Sequence, residues 1–383
     1  MNKEHLQQIF SHYIDQFERI NNTSSREYYK WEIAYAFRTL MDAALQASEK
    51  DFPAKLHEAK KLSANVIDNY TQPFYGLVKF AGKEPETVRA MLQALLSCSE
   101  MGIEEKQRRV SAFFEQSHAL RDKYYPDSYL YKDDVHSVTG YLFLYDPDHN
   151  NIYKATHAQK FADCIEFYDD WGSGDTVKLD VYERFCDTLV AEIKADNALL
   201  STDASRFDMV KMTGRPMHPD TEKHILAFDL IYCCYTYELF DGIAFTRPKS
   251  KERQLILERR NKAKQLFEDL KTKRQLLAEY TTALAYLNNT FIPGASLVHK
   301  TFGIGIITNK TDSAITVHFD SVGDKTLGTA VAAANRLICP AQDAEAFSAY
   351  IAEHSNDLLN GGSYTRQVES AEKALAPYTE YLE

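Results

Sequence analysis

Residues able to do chemistry are plentiful in this chain, and their spacing decides what they can do. A metal-dependent nuclease gathers an Asp with a Glu-x-Lys, so that carboxylates hold Mg²⁺ and the lysine stabilises developing charge. Glu192-Ile193-Lys194 has that spelling, with Asp175 and Asp180 upstream. The surrounding pattern is helical, which favours a solvated helix face over a metal site. A phosphate-cradling GxxxxGKS/T loop is absent, and Gly172-Ser173-Gly174 lacks the following lysine and reads as a turn. Neither GxSxG nor HExxH occurs. His218 and His224 flank a helix start, where capping is the ordinary role. The six cysteines form no CxxC pair and no zinc-like spacing, so they read as free thiols of a reducing compartment. The expectation is therefore no catalytic residue, no metal and no cofactor.

Charge is the sharper signal. Across residues 247–274 eleven Lys and Arg stand against four Asp and Glu, giving +7 within a chain of net charge −11, and leaving −18 for the rest. An acidic chain has little general affinity for nucleic acid or anionic membrane, but a local basic rod can still neutralise phosphates. If DNA is bound, Arg253, Arg259, Arg260, Lys262 and Lys264 are the expected phosphate contacts. The competing reading is a solvated or internally paired flank of a coiled-coil helix.

The elements that must position these residues follow from periodicity. Apolar residues make up 44% of the chain, while Gly (15) and Pro (11) are scarce, which favours packed helices. Residues 1–125 read as a helical domain, with Trp31, Phe37, Met41 and their neighbours at helical spacing, a helix from Lys55 to Tyr70, and another opened by Pro85. Residues 126–246 read as mixed but mostly helical. Tyr141-Leu142-Phe143-Leu144-Tyr145 could be a strand or a buried helix end, and Asn151–Lys154 could pair with it as a hairpin. Residues 247–291 read as one long helix in which Ala263, Leu266, Leu270, Leu277, Tyr280, Leu284 and Leu287 make a coiled-coil-like seam. In residues 292–340, short alternating runs separated by turn residues predict a small, strongly bent β-barrel filled by Val298, Phe302, Ile306, Val317 and Phe319. Residues 341–383 read as C-terminal helices. No stretch is long and apolar enough for a transmembrane helix, and the N-terminus lacks a signal-peptide core.

Two segments resemble known families. Across residues 60–240, the segments Asn65–Tyr70, Pro85-Glu86-Thr87-Val88-Arg89, Tyr141–Pro147, Ile152-Tyr153-Lys154 and His224–Tyr232 resemble, in their order, the helical region upstream of the ATPase in McrB-like bacterial restriction and defence proteins. That region belongs to the target-sensing side of such machines. This chain departs from them by lacking the ATPase, so a motor or nuclease would be a separate protein. Gly294–Gly305, followed by Ile315-Thr316-Val317-His318-Phe319, is similar to the SH3/Tudor-like barrels of CarD-type transcription factors and UvrD-type helicase tails. There the barrel docks on another protein, often RNA polymerase, and the resemblance puts His299, Lys300 and Phe302 at the docking edge.

The expected architecture is mainly α with a small C-terminal β-barrel, α+β and multidomain. The expected function is a non-enzymatic, cytoplasmic scaffold of a bacterial antiviral-defence or DNA-transaction system. It would dock a protein partner (an ATPase, a nuclease or RNA polymerase), touch the DNA backbone and avoid membranes. The alternatives are a Mg²⁺-dependent nuclease using Asp180, Glu192 and Lys194, and a structural homodimer joined through 248–290.

Overall fold

The computed structural model describes residues 1–22, 24–67, 70–208 and 213–382. The chain divides into two compact units, Met1–Lys249 and Ser250–Glu383. The five expected segments are thereby gathered into two bodies, because one continuous apolar core runs from Leu6 to Ile243.

The first unit is helical. Tyr29–Leu45 packs against Phe52–Ile67, and Pro73–Ala81, Pro85–Leu96 and Ile103–Tyr124 follow. The expected continuation of the second helix to Tyr70 runs through residues 68 and 69, which lie outside the described residues. Val135–Tyr145 is a helix, which decides the open choice at Tyr141–Tyr145 for the buried helix end, and the hairpin with Asn151–Lys154 does not form. A capping box opens it, with Asp134 accepting from the Ser137 N–H and Ser137 accepting from the Asp134 N–H. The helix is buried on nearly every side, so its sequence has no amphipathic period to read. Residues 151–154 run beside it without strand pairing, the Tyr153 N–H donating to Thr139 Oγ1 at 3.0 Å.

An ionic cluster ties four helices together inside this unit. Fully buried Lys30 bonds Glu27 (2.7 Å) and Asp229. Tyr13 donates to Asp229, and Arg206 donates to Tyr13 (2.6 Å) and Asn21 (2.6 Å), with Asp203 at 3.2 Å. The Arg206 guanidinium lies 3.7 Å from the Trp31 ring centroid. With no solvent-facing member among Lys30, Asp229, Arg206 and Asp203, the cluster fixes the packing rather than presenting a reactive group.

The second unit begins with a helix of 41 residues, Ser250–Thr290, which follows Pro248 and contains neither Gly nor Pro. Five antiparallel strands follow: β1 Ser296–His299, β2 Gly303–Lys310, β3 Ala314–Phe319, β4 Gly323–Gly328 and β5 Ile338–Pro340, in the order β4-β3-β2-β1-β5. The sheet is not closed, β4 and β5 forming its two edges. The unit is α+β. Its core joins the sheet to Ala283, Leu287 and Phe291 of the long helix end and to Phe347 and Ile351 of the Ala344–Asn360 helix.

Candidate nucleic-acid interface and docking surface

The long helix has one face covered by its own chain. Leu270, with Leu266 and Leu277, packs on Val368, Ala371 and Leu375 of the Tyr364–Leu375 helix. Gly361 lets the chain turn back past the Tyr280 ring, since a Cβ at Gly361 would overlap that ring. Tyr280 then meets Tyr364 edge-on at 6.1 Å. The seam that could have joined two copies is thus occupied from within the chain.

The five expected phosphate contacts fall on different flanks. Arg259 is in line with Ala263, Leu266 and Leu270, and its guanidinium donates to the Tyr381 hydroxyl. Arg253 is half-buried, its Nε enclosed without a hydrogen-bond partner among the described residues. Arg260 and Lys264 recur at a spacing of four, with Lys271 seven further on, and so share one flank away from the seam. Lys262 and Lys264 are exposed, Arg260 half-exposed. Further along, Lys273 pairs with Asp269 (2.7 Å), Arg274 with Glu372 (2.7 Å) and Lys271 with Glu268 (3.9 Å). The Lys271 and Arg274 pairs lie in solvent, where such pairs contribute roughly 0–1 kcal/mol and exchange readily for phosphate.

In β3 the expected Val317 and Phe319 do face inward, whereas in β1 and β2 alternation runs one residue out of step with expectation. Leu297, Ile307, Ile315, Val317 and Phe319 point inward and are buried. Val298 and Ile306, expected in the core, are 41% and 53% exposed, as is Ile304 at 70%. Side chains alternate strictly along a strand, so a one-residue slip exchanges the two faces. Val298 pairs with Ile304 and Ser296 with Ile306, which places the three apolar side chains side by side on the outer face.

His299 turns inward. Its ring stacks on Phe302 at 4.4 Å, and its Nδ1 accepts from the N–H groups of Thr301 (3.1 Å) and Phe302 (3.2 Å). Burial lowers its pKa. Phe302 is half-buried against Phe319 at 5.4 Å. Both residues shape the β1–β2 turn, and of the three expected docking residues Lys300 alone is exposed. Gly305 admits no Cβ, because Val317 and Phe319 lie 2.6 Å from where one would sit. That marks position 305, and therefore 307, as the inward set.

The nuclease constellation does not assemble. Asp180 lies in the first turn of Leu179–Ala195 and Glu192 twelve residues on, about 18 Å along the helix axis. Glu192 pairs with Lys3 (2.9 Å) and Lys194 with Glu222 (2.6 Å). Among the described residues, Glu100, Asp146 and His149 bring potential ligand atoms within 4.8 Å of one another. Asp146 already accepts from Ser99 Oγ (2.7 Å) and faces His149 Nδ1 (3.0 Å), while Asn150 donates to Ser99 (2.7 Å). Burial pushes the Asp146 pKa up, but these hydrogen bonds outweigh it and leave the carboxyl below its ordinary value. The group closes the end of the Val135–Tyr145 helix.

Comparison with protein-family models, with curated proteins and with solved structures returns no match. No helix among the described residues is long and apolar enough to cross a membrane.

Proposed function

We propose that this chain is a non-enzymatic scaffold of a cytoplasmic bacterial defence or DNA-transaction system, holding a protein partner on its C-terminal sheet and the DNA backbone along Ser250–Thr290. The observation that carries the reading is the division of the long helix. Its apolar seam is covered by the chain's own C-terminal helix, while Lys262 and Lys264 are left toward solvent. A helix presenting Lys262 and Lys264 without a carboxylate partner among the described residues suits sequence-independent phosphate contact.

The sheet supports the docking half. Its order, with the Thr329–Ala334 helix just before β5, fits an SH3-like barrel module. The outer strip of Val298, Ile304 and Ile306 offers apolar area to a partner, with Lys300 on the adjoining turn. The partner would supply the ATPase or nuclease activity that this chain lacks. Fluorescence anisotropy with a labelled random-sequence duplex tests the DNA half: R260E/K264E is expected to weaken binding at least tenfold with the fold intact. Unchanged affinity in that variant would remove the reading.

A further inference from the structure

The geometry points to a second nucleic-acid site, in the first unit: we infer that Tyr70, Tyr129, Tyr75 and the lysines around His57 form a platform for single-stranded nucleic acid. Tyr70 is 82% exposed and Tyr129 67%, and their rings stack on each other at 5.9 Å and 22°. Two neighbouring aromatic rings so open to water leave flat π surface available for a base.

A second group of rings lies on the same segments. Tyr131, two residues after Tyr129, meets Tyr75 at 6.1 Å, and Tyr75 meets His57 at 5.9 Å. Lys79 and Lys60 place their ammonium groups 4.9 Å and 5.7 Å from the Tyr75 ring centroid. The His57 imidazole has its pKa lowered by burial and then by Lys61, Lys60 and Lys79 in turn. Lys61 also lines a surface cavity of about 630 Å³ with Arg26 and with Arg215, the last paired to Glu32 at 3.6 Å. Lys61 and Lys79 thus sit beside these rings on a unit whose carboxylates outnumber its cations.

The backbone is held for this display. Tyr131 adopts φ 68° and Gln72 φ 52°, conformations that cost non-glycine residues energy. The Tyr131 N–H donates to the Thr71 carbonyl at 2.6 Å, pinning the loop of Tyr129 to the turn after Tyr70. Gly76 makes the approach possible, since a Cβ there would lie 2.6 Å from the Tyr131 Cβ. Open aromatic faces joined to ammonium groups match alternating bases and phosphates. A duplex keeps its bases stacked inside and cannot use them.

The inference is independent of the long helix, and the test separates the two. Labelled oligothymidylate, oligouridylate and duplex DNA are titrated with the full chain at low salt. Single strands are expected to bind, with Y70A/Y129A losing about tenfold or more and Y70F/Y129F retaining affinity. Y70A/Y129A should leave duplex binding unchanged, while R260E/K264E should do the reverse. Unequal affinity for the two oligonucleotides would identify DNA or RNA as the strand. Single-strand binding indifferent to Y70A/Y129A, or absent, overturns the inference. So does tyrosine-dependent capture by phosphatidylserine vesicles without oligonucleotide binding, which would make the surface a membrane contact.

Discussion

At Gly361 a single hydrogen decides whether the chain can close on itself. The residue is buried against the Tyr280 ring, and its backbone is ordinary helical, so the constraint is space alone. G361A should destabilise the second unit by roughly 1–3 kcal/mol, read as a lower thermal midpoint, and Y280A in the same chain should recover part of the loss. Glu183 gives a second residue-scale test. Burial pushes its carboxyl up to about 7, against hydrogen bonding from Asn151. A carboxyl raised in the fold binds its proton more tightly than in the unfolded chain. Its contribution is therefore fully present below the unfolded value and is lost as pH rises toward 7. Urea titrations should show E183Q gaining on the parent between pH 4.5 and 7, by on the order of 2 kcal/mol at the upper end. A gap that stays constant with pH would assign the effect to packing.

Between elements, the buried cluster around Lys30 and Asp229 is what sets helix against helix in the first unit. Lys30 joins the Tyr29–Leu45 helix to His224–Thr236, while Tyr13 and Arg206 reach the same Asp229 from two further segments. K30M leaves Glu27 and Asp229 buried with too little positive charge and should cost about 3–5 kcal/mol. The K30M/D229N pair should cost less than the sum of its single changes, because the surviving charge is removed with its partner. Elements differ in how far the sequence exposes them. Ser250–Thr290 is plain to see, because an unbroken run without Gly or Pro carries Leu266, Leu270 and Leu277 at three-four spacing. Val135–Tyr145 is ambiguous because burial on all sides erases periodicity, and only the Asp134–Ser137 cap betrays a helix. In β1 and β2 the strands are legible but their faces are not. Short runs such as Leu297-Val298 and Ile306-Ile307 are apolar at adjacent positions, so pattern alone cannot say which one is inside. Residues of the tyrosine platform lie between 57 and 131, and no sequence spacing unites them.

For the whole molecule, two cores imply two folding bodies. Met1–Lys249 and Ser250–Glu383 each bury their own apolar clusters, so the separately expressed pieces should give cooperative thermal transitions and dispersed NMR spectra. A piece that is unfolded alone would show that its core depends on the other. Cysteine chemistry adds nothing at this scale, since five of the six thiols are buried and all are free. Charge does act at this scale. The cations that the sequence concentrates in 247–274 are partly spent on Tyr381, Asp269, Glu268 and Glu372, while Lys262 and Lys264 stay exposed with no carboxylate partner among the described residues.

The salt dependence of duplex binding addresses these cations most directly. Anisotropy titrations of the full chain between 20 and 200 mM salt should give log affinity falling with log salt at a slope near −3, for about three phosphates neutralised, and R260E/K264E should flatten it by about two. A slope near zero, or a slope that R260E/K264E leaves unmoved, would contradict a DNA-backbone role for the long helix.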